Sequence, residues 1–345
     1  MEKRPILAVT MGDPAGIGAE IALKALAHAE LYEACQPFVV GDAAVLRRAM
    51  AVLGLELPLN LIDTPAEIRP GPGCVNVLSL GAVEENGWAY GQVSAHTGHA
   101  SYLYIEKAIR LALAKEADAV VTGPINKEAL NLGGHHYAGH TEIFAELTGA
   151  EDFAMLLTSP SLRVIHLSTH VSMRDACDLV SEERVYTVIR LAKQAMGYFG
   201  IANPRIAVAG LNAHSSENGM FGSEEAEAII PAIERARAEG MDITGPVPPD
   251  TVFVKAVGGL YDIVVAMYHD QGHIPVKLSG FKMDPATGEF VSVNGINMVI
   301  GLPIIRTSVD HGTAYDIAGK GIANEDSMLD ALYQAANMAL GRIGA

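Results

Sequence analysis

At 345 residues the chain is too long for one small core and is expected to form two domains. Half of it is apolar and its mean hydropathy is +0.23, which excludes a disordered polypeptide. A formal net charge of -16 excludes a general nucleic-acid binder, which needs a basic face to displace counterions.

The three cysteines, Cys35, Cys74 and Cys177, form no CxxC pair and no even framework, which points to buried thiols in a reducing compartment. No apolar run reaches the roughly 18 residues of a membrane span. The first residues enter a strand without a signal-peptide core. The expected location is the cytoplasm, with no membrane partner.

Ile6 to Met11 reads as an apolar strand, followed by the turn Gly12-Asp13-Pro14-Ala15-Gly16-Ile17-Gly18 and a helical pattern from Ile21 to about Ala29. Such a turn either presents backbone N–H groups to an anion or is a tight bend that needs glycine. Its spacing is not GxGxxG, so the dinucleotide fingerprint does not apply. Pro37 to Asp42 reads as a strand and Ala43 to Leu53 as its helix. From Leu55 to Gly98 the periodicity fades into loops with short strands. Ala100 to Lys115 is an amphipathic helix, and Asp118 to Thr122 a buried strand running into Gly123-Pro124-Ile125-Asn126-Lys127. One βα unit after another predicts a largely parallel sheet.

In the segment Gly133 to Glu142, His135 and His136 suit an ordinary polar loop as well as a function. Thr141 stands at a helix entry, where it can cap the helix or offer a hydroxyl to substrate. Beyond about Gly149 a second α/β run is predicted, with strands near 153–158, 163–168, 205–210 and 262–267 and helices near 181–197 and 224–239. Pro231 predicts either a kink or a new helix start. Gly245 to Asp250 reads as a rigid linker whose carboxylate either serves a turn or cap or belongs to a site. Lys282 to Val293 reads as a hairpin about Asp284-Pro285-Ala286-Thr287-Gly288. The chain closes with Asn297 to Arg306, a loop from Thr307 to Asn324 and a helix from about Ser327 to Leu340.

Three predicted strands deliver a histidine at their ends: His170, His214 and His269. In α/β proteins chemistry collects where parallel strands end. Three imidazoles with one open position suit a catalytic divalent metal, and Asp175, Asp250 and Asp270 are candidates to fix their tautomers. Ordinary core or loop histidines are the competing reading. The absence of HExxH leaves a zinc protease without support. The stretch Ser308 to Asn324 is glycine-rich with interleaved polar residues, and a loop this long is uncommon unless functional.

This last loop resembles the adenosine-binding loop of the isocitrate and isopropylmalate dehydrogenases, two-domain metal-dependent enzymes whose hydroxy-acid substrate is oxidised and then loses CO2. Four further motifs extend the likeness: Gly12 to Gly18, Thr122 to Lys127, Gly139 to Glu142 and His170 to Asp175. With Tyr268-His269-Asp270-Gln271-Gly272 added, the whole chain from about Ile6 resembles the 4-hydroxythreonine-4-phosphate dehydrogenase family.

The resemblance implies an α/β fold of isocitrate/isopropylmalate dehydrogenase type, with two three-layer α/β/α domains and a cleft between them. Residues 1–149 plus 300–345 would form the first domain and 150–299 the second, which would carry the metal and the dimer region. It implies a homodimer with a shared active site. The metal ligands fall on His170, His214 and His269, for one zinc, cobalt, magnesium or manganese ion. Substrate contacts fall on His140, Thr141, Lys277, Asn297 and Arg306. NAD would lie along Ser308, Asp310, Gly312, Thr313, Ala314, Asp316 and Asn324. Lys277, with Asp250 and Asp270, is the expected catalytic set for proton handling.

Three departures stand out. Ala213 replaces the usual Pro before His214, with Ser215-Ser216 after it in place of Ala-Gly; Ala19 replaces Pro; and the hairpin between Lys277 and Asn297 is longer. The longer hairpin resembles the branch that converts 4-phospho-D-threonate or 4-phospho-D-erythronate to dihydroxyacetone phosphate. The alternative is 4-phosphohydroxy-L-threonine oxidation in pyridoxal phosphate biosynthesis. A phosphate acyltransferase of related fold would leave the three histidines unexplained. A ligand-sensing protein would bind without reducing NAD.

Overall fold

The computed structural model describes residues 4–84, 87–283, 285, 290–293 and 295–343. The chain divides into two units, Met1–Ala150 with Leu302–Ala345, and Glu151–Gly301.

The first unit opens with β1 (Ile6–Thr10), α1 (Gly18–Leu26), α2 (Leu31–Ala34) and β2 (Gln36–Gly41). It continues with α3 (Ala43–Leu53), β3 (Leu59–Leu61), β4 (Val75–Ser79) and α4 (Ala95–Leu113). Then come β5 (Ala119–Thr122), α5 (Lys127–Leu132) and α6 (His140–Thr148). The helix expected from Ala100 begins five residues earlier, because the Ser94 hydroxyl accepts the Thr97 N–H and caps it.

The second unit contains β6 (Ala154–Ser159), β7 (Leu162–His166), α7 (Met173–Asp178), α8 (Glu182–Tyr198) and β8 (Ile206–Ala209). These are followed by α9 (Ile230–Ala238), β9 (Ile243–Val247), α10 (Pro249–Val257), β10 (Ile263–Ala266) and α11 (His269–Gly280). It ends with β11 (Phe281–Met283), β12 (Phe290–Val293) and β13 (Ile296–Ile300). The chain returns to the first unit as β14 (Ile305–Val309) and α12 (Asp326–Ile343).

In the first unit the strands run β3-β4-β2-β1-β5-β14, all parallel. β1, β2 and β5 are buried almost throughout, as strands covered on both faces must be. Thr10, Thr122 and Ser308 stand abreast where β1, β5 and β14 end. In the second unit the order is β13-β6-β7-β10-β8-β9, antiparallel across β13, β6 and β7 and parallel thereafter. His166 lies opposite Ala266, so β7 and β10 end level. Leu157, Val164, Ala207, Val252, Val264 and Val276 form the core over which α10 and α11 pack. The architecture is the expected α/β class.

Two local differences from the sequence reading have physical causes, and one open alternative is decided. The closing run Asn297 to Arg306 is two strands, because Gly301 turns at φ +97 against the Asp152 carbonyl, where a Cβ would lie at 2.1 Å. The stretch read as a linker holds β9 and the start of α10, with Pro249 in the first helical turn and Asp250 beside it. Pro231 marks a new helix start: it occupies the first turn of α9, after a π-helical turn at Glu225–Ile229. β11 and β12 pair antiparallel as the predicted hairpin, while Asp284 and 286–289 of its turn lie outside the described residues. No helix among the described residues is long and apolar enough to cross a membrane.

Candidate active site

In the first unit, Arg306, the second residue of β14, reaches toward Thr122 at the end of β5. Arg306 on β14 is 2 % exposed. Its Nη2 donates to Thr122 Oγ1 at 2.8 Å, while its Nε has no partner among the described residues. Burial pulls its guanidinium down to about 9, against the raising effect of Glu142. His140, the first residue of α6, also buries an Nε2 without a described partner. Its basicity is pressed well below the usual value by burial first, then by the charges of Arg306 and Lys127. Thr141 is buried beside it. The Arg306 Nε–H is an unpaired buried donor, which is costly and which an anion would satisfy, and the His140 Nε2 is an open polar atom beside it, with Lys127 nearby.

The loop that follows β14 is held from beneath by α1. Glu20, fully buried, accepts the Gly319 and Gly321 N–H groups at 2.7 and 2.8 Å. Tyr315 donates its hydroxyl to Asp13 Oδ2 at 2.7 Å, and burial raises the Asp13 carboxyl. The Ile17 N–H bonds the Thr313 carbonyl, Ala15 N–H the Asp13 carboxylate and Asp13 N–H the Pro124 carbonyl. The turn after β1 therefore uses these N–H groups internally, and its role is to seat the loop. Ser308 lies inside β14, bonding the Val309 carbonyl. The Asp310 N–H donates to the Ser327 hydroxyl oxygen at 3.2 Å, Gly312 and Asp316 are exposed, and the Asn324 side-chain oxygen accepts the Asp326 N–H ahead of α12. Ala314 holds a left-handed φ of +43. His311 was not singled out by its sequence context, yet it buries an Nε2 without a described partner in this loop.

In the second unit the neighbouring strands β7, β10 and β8 are followed by His170, His269 and His214. The His269 Nδ1 donates to Asp270 Oδ1 at 2.6 Å, so Asp270 holds the tautomer that leaves Nε2 open. The His170 and His269 ring centroids are 6.1 Å apart. His214 opens a turn in which five successive residues, His214 to Asn218, have φ between +48 and +63. That is left-handed backbone without a glycine, a costly conformation. Asn212 clamps it through Glu224 and the buried Glu225, beside a cavity of about 720 Å³ lined in part by His214, Glu217 and Pro246. Gln271 joins two of the strand ends, accepting the Met267 N–H at 2.7 Å and donating to the Gly210 carbonyl at 2.8 Å.

Among the described residues no three metal-binding side chains converge. The three imidazoles expected to form one ligand set stand past adjacent strands and are the residue type a divalent ion takes, but the described geometry does not gather all three. Asp175 is tied instead to the Ser172 cap of α7, at 2.7 Å, and Asp250 is an exposed carboxylate in the first turn of α10. Lys277, in the last turn of α11, holds its ammonium 5.3 Å from the Phe281 ring centre. Asn297 on β13 gives Nδ2 to the Met155 sulfur at 3.5 Å and buries an Oδ1 without a described partner. His135 stacks on Tyr102 at 3.7 Å and shares a hydrogen bond with His99, and His136 bonds Asn131. Both seat their loop.

Behind His269 lie two further imidazoles that sequence reasoning passed over: His273, one helical turn on, and His166 at the end of β7. The H-x-x-x-H spacing was the available signal. Burial drops His166 to about 4 and His273 to about 2. A histidine whose folded pKa lies below its unfolded value contributes stability that is complete above about pH 6.5 and lost as pH falls toward the folded value. For His166, 1 % exposed, this amounts to roughly 3 kcal/mol. Urea midpoints are therefore expected to fall markedly from pH 7.5 to pH 4.5, and to fall less in His166→Leu; equal pH slopes would reject the assignment.

A family model described as "Pyridoxal phosphate biosynthetic protein PdxA" matches residues 33–335 of this chain. The chain belongs to the PdxA family. It is 47 % identical over 339 residues to the D-threonate 4-phosphate dehydrogenase of Cupriavidus necator, covering 98 % of each. The D-threonate 4-phosphate dehydrogenase of Salmonella typhimurium is 47 % identical over 341 residues, covering 98 % of this chain and 100 % of that protein. Among solved structures, a 4-hydroxythreonine-4-phosphate dehydrogenase from Klebsiella pneumoniae superposes with a TM-score of 0.85 at 45 % identity, covering 97 % of this chain and 98 % of that one. PdxA membership makes the chain an oxidoreductase of the dehydrogenase type.

Proposed function

We propose that the chain is an NAD- and divalent-metal-dependent dehydrogenase that oxidises the C3 hydroxyl of 4-phospho-D-threonate or 4-phospho-D-erythronate, with loss of CO2 to give dihydroxyacetone phosphate. The observation that carries this is the buried Arg306 guanidinium, whose open Nε–H an anionic substrate would satisfy, with the open His140 Nε2 beside it. The names of the full-length relatives support the threonate branch.

His170, His214 and His269 would hold the ion. When bound, the ion supplies Lewis-acid polarisation at the substrate oxygens and the nicotinamide supplies a hydride acceptor. Arg306 and His140 grip the phosphate or the carboxylate, and Thr141 offers a hydroxyl. Lys277 takes the proton of the C3 hydroxyl as the hydride leaves, and returns a proton to C2 once CO2 has departed. Asn297 orients the substrate through its Oδ1. Asp270 holds the His269 tautomer, and Asp250 shares the proton handling with Lys277. The loop from Ser308 to Asn324 seats NAD.

The test is NADH formation, with a divalent ion, on 4-phospho-D-threonate, 4-phospho-D-erythronate and 4-phosphohydroxy-L-threonine side by side. Preference for either sugar-acid phosphate supports the reading. Preference for the amino acid returns the enzyme to pyridoxal phosphate biosynthesis, and no turnover on any of them removes the substrate class. Because Glu20 alone pins two loop N–H groups, Glu20→Gln is expected to raise the KM for NAD about tenfold with little change in kcat. An unchanged KM would detach the loop from the cofactor.

The same reading includes a homodimer. Val254, Val257 and Leu260 at α10, with Ile274 and Leu278 one turn apart on α11, expose apolar side chains on the second unit, Leu278 by 78 %. Large exposed apolar patches mark association surfaces. Sedimentation at micromolar concentration should give a dimer, and Leu278→Asp a monomer; a monomeric parent would remove the dimer.

A further inference from the structure

The His269 imidazole rests on a stack of side chains that leads back to the core of the second unit. Its own Nδ1 is tied to Asp270 at 2.6 Å. The His273 ring lies against it at 3.6 Å between centroids and 12° between planes. His273 in turn donates from Nδ1 to the His269 carbonyl at 2.9 Å, so its ring cannot rotate without breaking that bond. Behind it stands His166, with ring centroids 4.6 Å apart. His166 is 1 % exposed and donates from Nδ1 to the Met155 carbonyl at 3.1 Å, on β6. Gly272 makes room for it: a Cβ there would lie 2.3 Å from His166 Nε2.

Two buried imidazoles are an expensive way to fill a core, since His166 leaves an Nε2 without a described partner and leucine would pack there with no polar atom to satisfy. What the rings offer that leucine lacks is a flat face of fixed orientation, because each is pinned through Nδ1 to a carbonyl. An imidazole that must present Nε2 to an ion gains from such a backing, as the groups behind a ligand set its orientation.

We infer that His273, backed by His166, is a positioning residue that fixes the ring plane of His269 for metal binding. The inference rests on the reading of His269 as a ligand. The full-length protein is titrated with Co2+, following its visible absorption and competition with a chromogenic chelator, in the parent, His269→Ala, His273→Ala and His273→Phe. Circular dichroism and urea midpoints verify that each variant is folded. The expected result is a 10- to 100-fold weaker Kd in His273→Ala with an altered absorption envelope. His273→Phe keeps a flat ring, and should return the Kd to within about threefold of the parent. Should His273→Ala bind Co2+ like the parent while His269→Ala does not, the positioning role is overturned and the ligand reading stands. Failure of His273→Phe to restore binding also overturns it. If the parent and His269→Ala bind alike, the ligand reading itself falls and the inference with it.

Discussion

Replacing Arg306 with methionine is expected to leave a protein that is more stable than the parent and nearly inactive. The guanidinium is 2 % exposed, donates to the Thr122 hydroxyl, and has its pKa pulled down to about 9 by burial against the raising effect of Glu142. A base whose folded pKa lies below its unfolded value destabilises the fold while charged, and here that penalty is complete below about pH 9. A methionine of similar length removes the buried charge, and such replacements gain roughly 1–3 kcal/mol. The Thr122 hydroxyl, which accepts from Arg306, still donates to the Thr307 carbonyl at 3.4 Å. Losing a desolvated cation that grips substrate should lower kcat/KM by about 10^3-fold or more. Urea denaturation together with steady-state kinetics checks both signs. Near-parental kcat/KM in the methionine variant would show that the buried cation serves no substrate.

His214→Ala and His214→Gly should both lose metal-dependent turnover, by about 10^3-fold or more, if His214 completes the ion's ligand set. Their stabilities should differ. Position 214 has φ +52, where alanine remains strained and glycine does not, so the glycine variant should be the more stable by roughly 1 kcal/mol. Chelator treatment of the parent should reproduce the activity loss, and added ion should restore the parent but neither variant. Full turnover in either variant would remove His214 from the metal site.

The sequence carried most of the fold because the strands of the first unit are nearly all apolar. β1, β2 and β5 read as buried runs, and the glycine-rich turns between strand and helix announced their ends. What it concealed was set by tertiary contacts. The break at Gly301 depends on the Asp152 carbonyl, far away in sequence. α11 was masked by polar residues and Pro275, and its apolar positions Ile274 and Leu278 face outward. At the site, strand-end histidines could be picked out, but their partners could not. Gln271 bridging two strand ends, Glu20 beneath the loop and His166 behind His273 are long-range relations that no local spacing encodes. The left-handed run after His214 was also invisible, since none of its five residues is a glycine.

The order in which the chain is made bears on how this enzyme can be assembled. β14 is the edge strand of the first unit beside β5, and it lies beyond all of Glu151–Gly301. A nascent chain that has emerged only to Ala150 therefore presents β5 as an open parallel edge, and lacks the α12 side chains Met328, Leu332 and Ala335 that complete its core. The inserted unit is continuous in sequence and can fold while the first still waits for its last strand. Ribosome-bound chains stalled before Ile305 should then show a protease-resistant second unit and a sensitive first one. Arg306, the loop after it and α12 are the last to emerge, so the groups proposed to hold substrate and cofactor come together only when synthesis is nearly complete.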